Sequence, residues 1–112
     1  EGVDAFDAMF KPQVLGAGCR YFTRGPAHPP WLPTDQQAEV LIPDCVARED
    51  ILGVAVADEA QARREISRLK LVKAVIPPIV VAPDFFNPGW LSTQLRGGTV
   101  PPETLFHLGG TP

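Results

Sequence analysis

Apolar residues recur at spacings of three and four over two stretches of this chain and alternate or run together over several short ones. Val3, Phe6 and Phe10 share one side of a helical turn or two, which Pro12 stops. Cys19-Arg20-Tyr21-Phe22-Thr23 has the aromatic, β-branched content of a short strand. Val40-Leu41-Ile42 predicts a strand over residues 39–42, and Gly53-Val54-Ala55-Val56-Ala57, apolar on both faces, predicts another. Between them Arg48-Glu49-Asp50-Ile51 reads as a turn. Ala62, Ile66 and Leu69 then mark the buried stripe of a helix that starts after Asp58 and runs to about Leu71. Pro77-Pro78 closes it, and Ile79-Val80-Val81-Ala82 makes a further strand. From Asn87 onward glycine and proline predict mostly loop, with a turn of helix around Trp90-Leu91.

This order predicts an α+β fold, a small mixed sheet with one main helix against it. The chain is of single-domain length at 112 residues, and so few elements give a small core. A partner chain or an upstream segment is expected to complete the sheet. Thirteen prolines and ten glycines imply many ordered loops, and they exclude a helical bundle. A formal net charge of −3 gives no global attraction to nucleic acid, so any such contact has to be local. Two cysteines, Cys19 and Cys45, could form one bridge but are too few for a disulfide scaffold, and free, buried thiols are the expectation. No apolar run is long enough to span a bilayer and no signal sequence is evident, so the expected setting is soluble. The chain begins with Glu1 where an initiator would be Met, which suggests a segment of something longer.

The stretch with the most chemistry is His28-Pro29-Pro30-Trp31-Leu32-Pro33-Thr34-Asp35-Gln36-Gln37-Ala38-Glu39. Four prolines between residues 25 and 35 exclude a helix or a central strand and predict a loop that is ordered if Trp31 finds a pocket and floppy otherwise. If residues 39–42 are a strand, Gln37 and Glu39 point to one face, roughly 7 Å apart. An amide able to grip a polar substrate would stand beside a carboxylate able to act as a base or steady a cation. Each of these residues also has a plainer structural reading: Glu39 as an edge carboxylate, Trp31 as a lid on a small core, His28 and His107 as solvated loop residues. The basic set Arg63, Arg64, Arg68, Lys70 and Lys73 is expected to be a solvated helix face, since Glu65 interrupts it. There is no metal-ligand spacing, P-loop or dinucleotide fingerprint, and Arg96-Gly97-Gly98-Thr99 is too short for a phosphate cradle.

The run from Trp31 to Pro43, followed by Ile51-Leu52-Gly53-Val54-Ala55-Val56, resembles the closing part of DarT-like ADP-ribosyltransferase toxins. These are bacterial enzymes that move ADP-ribose from NAD onto a base of single-stranded DNA. The resemblance spans roughly residues 30–82 and implies a partial ADP-ribosyltransferase-like fold. It implies that Glu39 is catalytic and that Gln37 orients the substrate. Trp31, Thr34, Asp35 and Gln36 would belong to the target-recognition loop. With Trp31 stacking on an unpaired base, Arg24, Arg20 and His28 would be the residues to hold phosphates. NAD would be the co-substrate and single-stranded DNA the partner, in a bacterial cytoplasm, with an antitoxin or immunity protein as a further partner.

The family's NAD-gripping elements precede this block. Either Arg20 and Tyr21 belong to a shortened version of that half, or it lies on a missing N-terminal segment, which is the expectation here. A second function class stands beside the enzyme: a non-catalytic interaction module that keeps the fold without a complete NAD site.

Overall fold

In the computed structural model, which describes residues 2–109, the chain divides into two compact units. One comprises Glu1–Pro43 with Ser92–Val100, the other Asp44–Leu91 with Pro101–Pro112. The class is α+β, with short strands in two small sheets and one dominant helix.

The first unit opens with α1 (Val3–Ala8), after which the Phe6 and Phe10 rings meet at a centroid distance of 5.4 Å. Strands β1 (Gln13–Leu15) and β2 (Tyr21–Thr23) pair antiparallel, with Val14 opposite Phe22. The turn between them needs left-handed backbone at Gly18 and Cys19, at φ 71° and 57°. Gly16 is required for a different reason: a Cβ there would run into the Phe22 ring and lie 2.7 Å from Asp35 Oδ2.

In the second unit, a single 3₁₀ turn over Arg48–Asp50 leads to β3 (Val54–Val56), α2 (Glu59–Leu71) and β4 (Ile79–Val81). Parallel pairing of β3 with β4 across a helical crossover is the ordinary way to bury apolar strands. Val56, Ala62, Ile66 and Ile79 form the core, with Val81 and Phe106 packed against it. The ends of α2 are defined by their caps. Asp58 Oδ1 accepts from the Gln61 amide at 2.7 Å while Gln61 Oε1 accepts from the Ala57 amide at 2.9 Å, a reciprocal arrangement close to a capping box. At the other end Lys73 N–H donates to Lys70 O and Ala74 N–H to Leu69 O, the Schellman pattern, with Lys73 at φ 55°. On its outer face Glu59–Arg63 and Glu65–Arg68 pair at 3.8 and 2.8 Å, as expected of a solvated surface.

Three expectations are corrected. Residues 39–42 form no strand: a turn closed by Ala38 N–H on Asp35 O precedes them, Pro43 follows, and Val40, Leu41 and Ile42 are exposed. Strand propensity without a pairing partner does not make a strand. Instead β5 (Thr104–Leu105) pairs antiparallel with β4 and gives the sheet its mixed character. The stretch after Asn87, expected to be mostly loop with a turn of helix around Trp90-Leu91, holds a full nine-residue helix there, α3 (Pro88–Arg96), with Pro at its first position and Asn87 Oδ1 accepting from Trp90 N–H. Gly98, at φ 84°, and Thr99 end α3 by donating to Leu95 O and Gln94 O. Positions 110–112 of that stretch lie outside the described residues. Finally, Cys19 and Cys45 are free, as expected, but exposed where burial was expected. Among the described residues no helix is long and apolar enough to cross a membrane.

Candidate active site

The proline-rich loop is held from inside by its own main-chain carbonyls. Prolines at 29, 30 and 33 remove amide donors, so the carbonyls of this segment need partners from side chains. Arg24, directly after β2, provides them: Nη1 donates to Leu32 O and to Thr34 Oγ1, both at 2.9 Å, and Nη2 donates to Pro29 O. His28, expected to be solvated, is buried instead, with Nε2 3.0 Å from Leu32 O and 3.2 Å from Pro33 O. Facing two carbonyl oxygens, Nε2 is placed to donate, and buried Nδ1 has no hydrogen-bond partner among the described residues.

Thr34 is the knot of the loop. It is fully buried; its amide donates to Met9 O at 2.9 Å and its hydroxyl to Lys11 O at 2.6 Å, while Oγ1 also accepts from Arg24. Its carbonyl accepts from Arg96 Nη1 at 3.1 Å. Every polar group of this residue is thereby paired. A β-branched side chain with one donor and two acceptor positions meets such a site in a way that valine cannot.

On either side of this knot the chain turns outward. Trp31 is 57% exposed, although buried Leu32 and Pro29 flank its part of the loop. Asp35 is half-buried and its Oδ1 accepts from the Gln37 amide at 2.9 Å, an Asx turn that sets the direction of the segment leaving the loop. Gln36 Nε2 donates to Ser92 O at 3.3 Å. Gln37 and Glu39 are exposed, two residues apart on irregular backbone, and Glu39 belongs to neither ion pair found among the described residues. With no strand there, alternation does not align the two side chains. A cavity of about 230 Å³ lies beside this turn, lined by Met9, Val14, Leu15, Asp35 and Ala38 among others. Arg20 is exposed on the β1–β2 hairpin.

The family model of the ssDNA thymidine ADP-ribosyltransferase DarT matches residues 7–87. The chain belongs to the DarT family. No curated protein and no solved structure matches it. The DarT match takes in β1, β2, the clamped loop, Gln37, Glu39, and the β3–α2–β4 unit, and so reaches further toward the N-terminus than the resemblance that began near residue 30. The family is one of ADP-ribosyltransferases that act on single-stranded DNA. In this DarT-family chain the loop, Gln37 and Glu39 are consecutive in sequence and lie in one unit.

The residue that sequence reasoning missed is Arg96. It lies beyond the matched residues, in a segment noted only as too short for a phosphate cradle, and its partners are 62 and 73 positions away. No local pattern announces a contact at that separation. The one available hint is a basic residue in the last turn before Gly97-Gly98, the usual end of a helix.

Proposed function

We propose that this chain carries the target-recognising and carboxylate-bearing part of an enzyme that transfers ADP-ribose from NAD to a thymine of single-stranded DNA. The observation that carries the reading is the DarT match over residues 7–87, which includes the clamped loop and both polar residues after it. Transfer replaces the nicotinamide–ribose bond by a ribose–base bond: nicotinamide leaves with the bonding electron pair, and the attacking base gives up its ring N–H proton. Positive charge develops on the ribose as the first bond breaks, as in glycoside cleavage. Glu39, exposed and outside both ion pairs found among the described residues, is free to steady that charge or to take the proton. Gln37 holds the acceptor beside it.

The loop over residues 31–36 chooses the target. Trp31 presents a face for stacking on an unpaired base, a contact worth about 1–3 kcal/mol. The cavity beside Asp35 and Ala38 offers an apolar floor for the extruded base, with the Asp35 carboxylate as acceptor. Of the three residues considered for phosphates, Arg20 has its side chain in solvent, whereas Arg24 and His28 act on DNA through the shape of the loop they hold. Arg20 and Tyr21, the pair that would belong to a shortened NAD grip, are both exposed, and the reading keeps that grip on a segment outside this chain. A bacterial cytoplasmic setting and neutralisation by an antitoxin or immunity protein complete the proposal.

The test is incubation with NAD and single-stranded oligonucleotides of varied sequence, followed by intact mass. A thymine-dependent adduct that Glu39→Gln abolishes is expected when the chain is assayed with a segment that supplies the NAD grip, and a weaker one or none from the chain alone. No adduct under either condition, with no NAD binding by calorimetry, rejects the reading in favour of an interaction module.

A further inference from the structure

The last turn of α3 holds the recognition loop in place, and it does so from beyond the residues that the DarT match covers. Arg96 spreads its planar fork over two carbonyls: Nη1 donates to Thr34 O and Nη2 to Thr23 O, each at 3.1 Å. Its guanidinium lies 6.0 Å from the centroid of the Phe22 ring. One turn earlier, Ser92 O accepts from Gln36 Nε2. One half-buried side chain thus ties the end of β2 to the centre of the loop. A guanidinium suits two separated carbonyl acceptors because its donors diverge in a fixed plane; an ammonium offers a single point of charge. Thr34 is the buried residue from which the chain departs toward Gln37 and Glu39, so a tether on its carbonyl fixes where that segment begins.

We propose that Arg96 is a positioning residue for the DNA acceptor, holding the loop over residues 31–36 in its binding-competent shape. The proposal rests on the reading of that loop as the target-recognition element. It makes two separable claims: Arg96 orders the loop, and the ordered loop sets affinity for the acceptor without touching the chemistry at NAD.

The first claim is tested without any activity. In a Trp90→Phe background Trp31 is the one tryptophan, so acrylamide quenching of its fluorescence reports the loop directly. Arg96→Ala is expected to raise the quenching constant about twofold at unchanged far-UV circular dichroism, with Arg96→Lys, which retains one donor group, lying between. Unchanged quenching in folded Arg96→Ala overturns the proposal; if that variant does not fold, Arg96→Lys decides by the same criterion. The second claim is tested with the full chain in the transferase assay, in whichever condition supports turnover. The KM for oligonucleotide should rise about tenfold in Arg96→Ala, with kcat and acceptor-independent NAD hydrolysis within about twofold of the parent. A fall in kcat at constant KM overturns it. If the parent protein transfers nothing under either condition, the catalytic reading fails, and the Trp31 measurement still decides whether Arg96 orders the loop.

Discussion

The Arg24 guanidinium donates to the Thr34 hydroxyl at 2.9 Å, and that hydroxyl in turn donates to Lys11 O. A cation, a hydroxyl and a carbonyl form a short chain within the loop that carries Trp31. Thr34→Val keeps the volume and removes the hydroxyl, leaving Arg24 Nη1 and Lys11 O each short of a partner. The expected loss is about 1–3 kcal/mol in denaturant unfolding. Arg24→Ala removes the other end of the same pair, and the two losses should fall short of additive by about 0.5 kcal/mol or more in a double-mutant cycle. Strict additivity would mean that the two side chains do not share an interaction.

Glu39 contrasts with Thr34 in having nothing to lose structurally. Glu39→Gln should leave unfolding free energy within about 0.5 kcal/mol of the parent while lowering DNA ADP-ribosylation by about 100-fold or more. A variant that unfolds in step with its loss of transfer would assign the carboxylate to the fold.

Gly16 is limited by space and not by backbone conformation. Since an added methyl meets the Phe22 ring, Gly16→Ala is expected to cost about 1–3 kcal/mol. Pairing it with Phe22→Leu, which opens the contact, should recover part of that loss in thermal melts; no recovery would point to a cause other than the ring.

The two ends of α2 respond in opposite directions. Asp58→Ala removes the acceptor for the Gln61 amide and should cost about 1 kcal/mol. Lys73→Gly relieves a left-handed residue that bears a Cβ and should gain about 0.5 kcal/mol after the greater freedom of glycine in the unfolded chain is counted. Both are read from the midpoint of urea unfolding at constant m.

Local signals were faithful where a segment could settle its structure alone or with its neighbours. Asp58 and the Ala62, Ile66 and Leu69 stripe placed α2 almost to the residue, and the apolar runs at Val54 and Ile79 matched the two parallel strands. Asn87-Pro88 and Gly97-Gly98 were equally good start and stop signals for α3, but the glycine and proline content around them suggested mostly loop. Residues 39–42 failed for the opposite reason: their composition favours a strand, and a strand also needs a neighbour with free hydrogen-bonding groups in register. That residues 25–35 are neither helix nor strand was legible from their prolines. What holds the loop was not, because prolines remove donors and the replacements, Arg24 and Arg96, come from residues whose partners only the fold selects.

The exposed run Val40-Leu41-Ile42 has a consequence for handling the protein as well as for its chemistry. Short segments of high β-propensity, low charge and no proline are the ones that self-associate, and natural sequences restrain them with flanking charges and prolines. Here those gatekeepers are Glu39 on one side and Pro43-Asp44 on the other. The carboxylate assigned to transfer therefore also guards against aggregation, and Glu39→Gln weakens both duties at once. Glu39→Asp keeps the guard while shortening the reach, so comparing the soluble yields of the two variants separates colloidal loss from catalytic loss.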